Sequence, residues 1–385
     1  MIIPKPMIIQ VEEPQKSEGN YISYLITTYT QVETFSSNHP KPVRRRFQDF
    51  VWLYNALSLE YPACVIPFLP EKYRLKYIKG DRFDNEFIEK RRLGLQLFLN
   101  RIARHPLLQL SQSTRIFLES RDFRIPRPSS MFTSLNGTLF KSFSKVKKPD
   151  DRFIMIKETV DKYEDNLNII ERLYSRIGRR QLDLVQDYLD FAGSLRGLSV
   201  LEVSVERKLR QFAETTETFA GNITGLTQNE DKYYLNNIHE LLSYCRATKE
   251  QLQERDKKQV DFEELTTYLQ RLSEDRERLL HPGQYNGNAL NISEFMADKM
   301  GELKGNKLTQ TRKDVLRAND ANNTFSNQML KEYEIFQSTR KMEMKQCLTS
   351  YADSHIDFCQ KGIDLWSSII PVLESMDLNT KTDID

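Results

Sequence analysis

Three short stretches of this 385-residue chain carry side chains suited to holding an anion. The first is "RRRFQDF", where Arg44, Arg45 and Arg46 run directly into Phe47. Some way on, "VIPFLPEKY" presents Lys72 just after a proline-rich run, and "EKRR" then places Arg91 near the head of an amphipathic segment. A guanidinium meets phosphate through a bidentate fork, and an adjacent ring offers a flat platform for a sugar or inositol ring. By itself the arginine triplet suits four descriptions: a solvated strand edge, a nuclear-localisation-like tag, a nucleic-acid patch, or the mouth of an anion pocket. Cations delivered by three separate elements around one anion make a pocket, whereas a linear tag keeps its charges contiguous.

The elements that must deliver these groups are legible as an α+β unit over residues 1–120. "PMIIQVEEP" and "GNYISYLITTYTQV" are β-branched and aromatic runs bounded by Pro, Gly and Asn, as strands are. "KPVRRRFQDF" continues as a third strand, on which alternation turns Arg45 away from Arg46 and leaves Arg44 and Arg45 as supporting or bulk-electrostatic residues. The chain then turns helical, with Phe50, Leu53, Tyr54 and Leu57 at helical spacing. A second helix spans "DNEFIEKRRLGLQLFLNRIARHP", where Phe87, Leu95, Phe98, Leu99 and Ile102 share one face. Between them, Tyr73, Leu75, Tyr77 and Ile78 interleave with Arg74, Lys76 and Lys79. That loop either enters a lipid headgroup layer or folds its apolar residues back onto the domain.

Residues 121–150 change character and form a linker rich in Pro, Ser and Gly. Within it Met131, Phe132, Leu135, Leu139, Phe140 and Phe143 recur at helical spacing, with Lys141, Lys145, Lys147 and Lys148 following. Two readings stay open: a basic amphipathic helix at a membrane interface, or a segment packed on the next domain, with Gly137 weakening an isolated helix. From Asp151 to the end the apolar residues recur at helical spacing almost throughout. "FAGSLRGLSV" (Phe191–Val200) and "HPGQYNGNALNIS" (His281–Ser293) interrupt the pattern, predicting helices of about 40, 80 and 75 residues. Helices of that length need lateral partners along their whole course, which predicts a three-helix antiparallel coiled-coil bundle that dimerises to cover its remaining apolar face.

Charge is nearly balanced overall, with 56 Lys+Arg against 54 Asp+Glu, but it is unevenly placed. Residues 1–120 carry a net +5, residues 121–150 another +5 and the remainder −8, so an anionic partner is expected at the N-terminal part. The four cysteines, Cys64, Cys245, Cys347 and Cys359, lack ligand or disulfide-framework spacing and read as ordinary thiols of a reducing compartment. Prolines break the first residues too early for a signal-peptide core, and no run approaches the roughly 20 apolar residues that span a bilayer. Phosphate-loop, dinucleotide, zinc-protease and nucleophile-elbow motifs are all missing, so neither catalysis nor a cofactor is expected. His355, within the stripe of Leu348, Tyr351 and Phe358, reads as a packed bundle residue.

"RRRFQDF", "IPFLP" and "FIEKRRLGLQLFLNRIARHP", in that order, resemble the PX (phox homology) domain of the sorting nexins. The helical remainder, including "RDKKQVDFEELTTYLQRL", is similar to the BAR domain that follows PX in that family, and "PEKYRLKYIKGDRF" points to its sorting nexin 4 (autophagy-related protein 24) subgroup. The resemblance implies a PX domain over 1–120 (a three-stranded antiparallel sheet plus helices), a linker over 121–150 and a dimeric all-α BAR domain over 151–385. It implies phosphatidylinositol 3-phosphate as ligand, with Arg46 on the 3-phosphate, Phe47 beneath the inositol ring where many members have Tyr, Lys72 on the 1-phosphate and Arg91 on the 4- and 5-hydroxyls. It further implies a cytoplasmic, peripheral adaptor on endosomal and autophagy-related (preautophagosomal) membranes. That adaptor would sort cargo proteins, as a homodimer or as a heterodimer with another PX–BAR nexin, without binding nucleic acid. The competing expectation is a coiled-coil tether or scaffold whose basic N-terminal domain binds some other anionic partner.

Overall fold

The computed structural model describes residues 4–17, 21–35, 42–70, 85–121, 123, 146–147, 149–202, 204–280 and 294–375. Strands β1 (Met7–Ser17), β2 (Tyr21–Thr30) and β3 (Val43–Arg46) form an antiparallel sheet in that order, with Val11 opposite Ile26 and Leu25 opposite Arg44. Period-two alternation sends Ile9, Val11, Tyr24 and Ile26 inward. Between Glu12 and Gln15 the register slips, and Glu13 takes the left-handed conformation (φ 44°). Arg44 holds that kink, donating to the Glu13 carbonyl and carboxylate at 3.1 Å each.

Helices α1 (Phe47–Glu60), α2 (Asn85–Arg104) and α3 (Gln112–Glu119) cover the inner face of the sheet. Phe50, Leu53 and Leu57 of α1 meet Leu95, Phe98 and Leu99 of α2 in one buried core. Each fully buried side chain of this size is worth about 1.5–3 kcal/mol. The outer edge of β1 is closed by α2. There the Gln96 amide nitrogen donates to Ile9 O (2.6 Å), its oxygen accepts from Val11 N (2.7 Å), and Arg92 donates to Val11 O (2.7 Å). A strand edge that would otherwise be open to pairing is thereby blunted.

Among the described residues the second part is built of helices: α4 (Asp151–Leu201), α5 (Glu206–Glu230), α6 (Asn236–Leu280) and α7 (Glu294–Glu374). Asp150 caps α4, accepting from Arg152 N at 2.9 Å. A single π-turn, Asp231–Leu235, joins α5 to α6 without breaking the rod. The result is three long antiparallel legs, of which α7 alone has 81 residues and extends about 120 Å. Aromatic rungs lock the legs together: Tyr163 on Phe336, Tyr174 and Tyr351 around Tyr234, Phe219 on Trp366.

One sequence expectation is corrected. The first leg does not stop within Phe191–Val200 but runs through Leu201, giving 51 residues, and the next helix begins at Glu206. A mid-helix glycine costs roughly 1 kcal/mol relative to alanine. Gly193 and Gly197 face open space, while Ala192 and Leu195 beside them bury against Ala213 of α5, and that packing outweighs the glycine cost. The second interruption, residues 281–293, and the basic amphipathic segment from Met131 to Phe143 lie outside the described residues.

The inward positions of α5 and α6 also fall out of step. Ala213, Thr216, Ala220, Ile223 and Glu230 keep a three–four rhythm; the row from Ala213 still meets Leu241 and Thr248, whereas the row from Thr216 resumes at Ile238, Cys245 and Leu252, one residue late. The π-turn takes up that extra residue, as i→i+5 bonding allows.

The α+β unit sits on the bundle through α2 and the residues around its end. Arg101 is 4% exposed and lies over the Tyr244 ring (4.7 Å). It donates to both Glu343 oxygens (3.0 and 2.8 Å) and to Glu240 O (3.1 Å). Burial disfavours its charge, but Glu343 and Glu240 outweigh that and hold its pKa above the ordinary arginine value. Lys90 pairs with Asp231 of the π-turn, and Lys232 with Glu89 at 3.5 Å. Arg101→Ala is expected to leave two buried carboxylates without their counter-charge and to destabilise the full chain by about 3–5 kcal/mol in urea unfolding. A loss under 1 kcal/mol would show that the two parts do not depend on this pair.

Candidate functional site

β3 and the start of α1 present the arginine triplet to three different surroundings. Arg45 points inward and is 1% exposed, its guanidinium donating to Phe117 O (2.9 Å), Arg44 O (2.9 Å) and Ser120 O (2.5 Å) and covered by the Phe123 ring at 4.6 Å. Burial pulls its pKa down to about 10 against the support of Asp49, so it is a structural cation that ties β3 to α3. Arg44 is spent on the Glu13 kink. Arg46 faces outward with about half its side chain exposed. It caps α1, its amide donating to Asp49 (2.9 Å) and its Nε to the same carboxylate (3.3 Å), and it lies 5.9 Å from the Tyr21 ring centre.

Phe47 follows at the first position of α1, and its ring is covered by a cation from another element: the Arg91 guanidinium lies 4.7 Å from its centre and 4.4 Å from that of Phe87. Arg46, Phe47 and Arg91 thus come together at the junction of β3, α1 and α2. Lys72 and the loop residues Tyr73, Leu75, Tyr77 and Ile78 lie outside the described residues. The chain that leads to them is described as far as Pro70, and Pro70 lies against Gly94, one turn along α2 from Arg91. A Cβ on Gly94 would overlap the Pro70 ring and come within 3.2 Å of Glu240 Oε1. Only glycine admits the proline this close.

The proline-rich stretch does more than approach α2. Cys64, Ile66 and Leu69 enter the core of the α+β unit, whereas Val65 and Phe68 enter that of the bundle. Its backbone is held by Glu332 of α7, which accepts from Val65 N at 2.9 Å and from Gln328 at 2.7 Å. His105, just past the end of α2, reaches the same carboxylate (3.0 and 3.1 Å).

Cys64, His105 and Glu332 place three potential metal donors within 4.8 Å of one another, a grouping that sequence spacing did not reveal. The imidazole decides its chemistry. Nδ1 accepts from both Leu107 N and Leu108 N (3.2 Å each), which puts the ring proton on Nε2, where it donates to Glu332 and leaves no lone pair for a metal. Burial works against ionised Glu332, yet the hydrogen bonds from His105, Val65 and Gln328 prevail and hold its pKa below the ordinary carboxylate value. Burial drives the Cys64 thiol well above its usual range. The cluster is a closed hydrogen-bond network spanning both parts of the chain.

Comparison with known proteins bears on the family and the fold. Residues 33–121 match the PX domain family, and residues 128–372 match the family described as "Vps5 C terminal like". Sorting nexin-4 of Cryptococcus neoformans var. neoformans serotype D (strain JEC21) is 38% identical over 405 residues, covering 96% of this chain and 81% of that one. Sorting nexin-4 of Pyricularia oryzae is 32% identical, covering 94% and 84%. The chain belongs to the PX–BAR sorting nexins. The fold agrees with the cryo-EM structure of the SNX-BAR Mvp1 tetramer at a TM-score of 0.64 and 19% identity, across 94% of this chain and 99% of that one.

Membership makes the α+β unit a PX domain and the bundle a BAR domain, and places the chain among membrane-associated sorting adaptors, a class that works peripherally on membranes and not by catalysis. Among the described residues no helix is long and apolar enough to cross a membrane. His355 packs on the Tyr351 ring (4.3 Å) with Nε2 2.6 Å from Glu230 of the bundle. Cys64, Cys245 and Cys347 are buried free thiols, and Cys359 is exposed. Gly94→Ala is expected to push Pro70 off α2 and to cost about 1–3 kcal/mol in urea unfolding, the usual penalty of overpacking. A variant as stable as the parent would show that Pro70 is not held there.

Proposed function

We propose that this nexin reads phosphatidylinositol 3-phosphate through Arg46, Phe47, Lys72 and Arg91 and uses its bundle to sense or remodel curved endosomal membrane. In that role it sorts cargo for retrograde or recycling transport and for selective autophagy. The observation that carries the reading is the Arg91 guanidinium seated over the Phe47 ring, directly after the half-exposed Arg46. On this reading Arg46 meets the 3-phosphate as a fork, Phe47 lies under the inositol ring, and Arg91 donates to hydroxyls whose phosphorylation would collide with it. Lys72, two residues beyond Pro70, is assigned the 1-phosphate. Tyr73, Leu75, Tyr77 and Ile78 are assigned to the lipid layer, where each neighbouring basic residue adds roughly 1 kcal/mol on an anionic surface.

The bundle supports a dimeric working form. Ile356, Ile363 and Ile370 of α7 repeat every seven residues and are 51–67% exposed, and Leu173, Ile177 and Leu184 of α4 stand open on the same half of the bundle. A heptad stripe of this length calls for another helix, supplied by a second copy or by another PX–BAR nexin. Two headgroup sites on one dimer raise residence on a membrane through effective concentration.

Arg46→Ala is expected to weaken binding to phosphatidylinositol 3-phosphate liposomes about 100-fold, the value of one lost bidentate charged contact, while Arg44→Ala binds as the parent does. Equal binding by Arg46→Ala and the parent would sink the pocket and favour a tether that holds some other anion. For the stripe, light scattering of the parent should give twice the 45.4 kDa chain mass alone, or the sum of both chain masses with a second PX–BAR nexin present, and Ile363→Glu should return it to the single-chain mass. A parent that stays monomeric in both settings would overturn the dimer.

A further inference from the structure

We infer that Glu332 of the BAR domain is a positioning residue for the headgroup site of the PX domain, so that lipid recognition is built by both domains and is reported directly to α7. This rests on the phosphoinositide reading given above. Pro70 lies against α2 one turn along from Arg91, and it is held from two sides. On one side Gly94 of α2 receives its ring. On the other, the segment entering it is fastened to the bundle: Glu332, fully buried, binds the Val65 amide, and the Val65 and Phe68 side chains sink into the bundle core. Pro70 lies five residues beyond the fastened amide. Extended chain of that length reaches well under 20 Å, and two prolines within it fix φ, so a shift at Val65 is transmitted and not absorbed.

The same carboxylate receives His105 from the end of α2, the helix that carries Arg91. One bundle side chain therefore sets the distance between the two elements that flank the site, the proline segment and α2. Linkage makes the dependence reciprocal: if Glu332 favours the binding-competent separation, a bound headgroup must favour the Glu332 contacts by the same factor.

The test uses full-length protein and inositol 1,3-bisphosphate, the soluble headgroup, so that bilayer contacts and dimer avidity do not enter. Glu332→Ala, which removes every acceptor at Val65, is expected to weaken headgroup binding at least 10-fold by calorimetry. Glu332→Gln, which keeps one oxygen for that amide, should lose no more than about 3-fold, the fold-change of 0.6 kcal/mol. In the parent, saturating headgroup should slow amide exchange at Val65 and across residues 328–336 of α7. A folded Glu332→Ala that binds as the parent does, or headgroup binding that leaves exchange in α7 unchanged, overturns the inference. If Glu332→Ala does not fold, the exchange measurement on the parent decides. A parent that does not bind the headgroup, or an Arg46→Ala that binds it equally, removes the phosphoinositide reading itself and this inference with it.

Discussion

The arrangement of this protein depends on charges buried where two domains meet. Arg101 and His105 leave the last turns of α2 and find Glu343, Glu240 and Glu332 on two legs of the bundle, all but excluded from water. Separating such groups without rehydrating them is costly, and imperfectly matched partners are costly too, so the contact tolerates essentially one relative placement of the domains. Everything nearby inherits that definition: the tilt of α2, the seat of Pro70 on Gly94, and the pairing of Lys90 and Lys232 across the same boundary.

The three arginines that begin β3's exit show how one residue type is put to three uses by position alone. Strand alternation turns Arg45 inward, where carbonyl oxygens at the ends of α3 neutralise its burial, and leaves Arg44 to restrain a left-handed kink. Arg46 keeps its side chain in solvent only because its backbone already serves as the cap of α1. A basic run that looks uniform as text thus has one half-exposed member, held by Asp49.

Much of this was legible in the residues. Period-two runs marked the strands, Phe87 to Ile102 marked the face of α2, and unbroken helical spacing after Asp151 marked the bundle, because local periodicity is set by the burial it must satisfy. The convergence of Phe47 and Arg91 was legible only through the family resemblance, since nothing in spacing brings α1 and α2 together. Two features escaped. The glycines at 193 and 197 suggested a break because sequence does not show that their side of the helix is open. The Cys64–His105–Glu332 network joins residues more than 200 positions apart, and its hydrogen-bond direction depends on two backbone amides that no motif records.

The π-turn between α5 and α6 has a consequence for anyone who would exchange parts of this bundle. A heptad count begun at Ala213 still lands on Leu241 and Thr248, but one begun at Thr216 and carried past Leu235 falls one residue short of Ile238, Cys245 and Leu252. One residue is about 100° of rotation on a helix, enough to turn a core position toward solvent. A chimera that splices the distal half of the bundle onto a relative's PX-bearing half therefore keeps its packing only when the five-residue turn travels intact with one side of the joint.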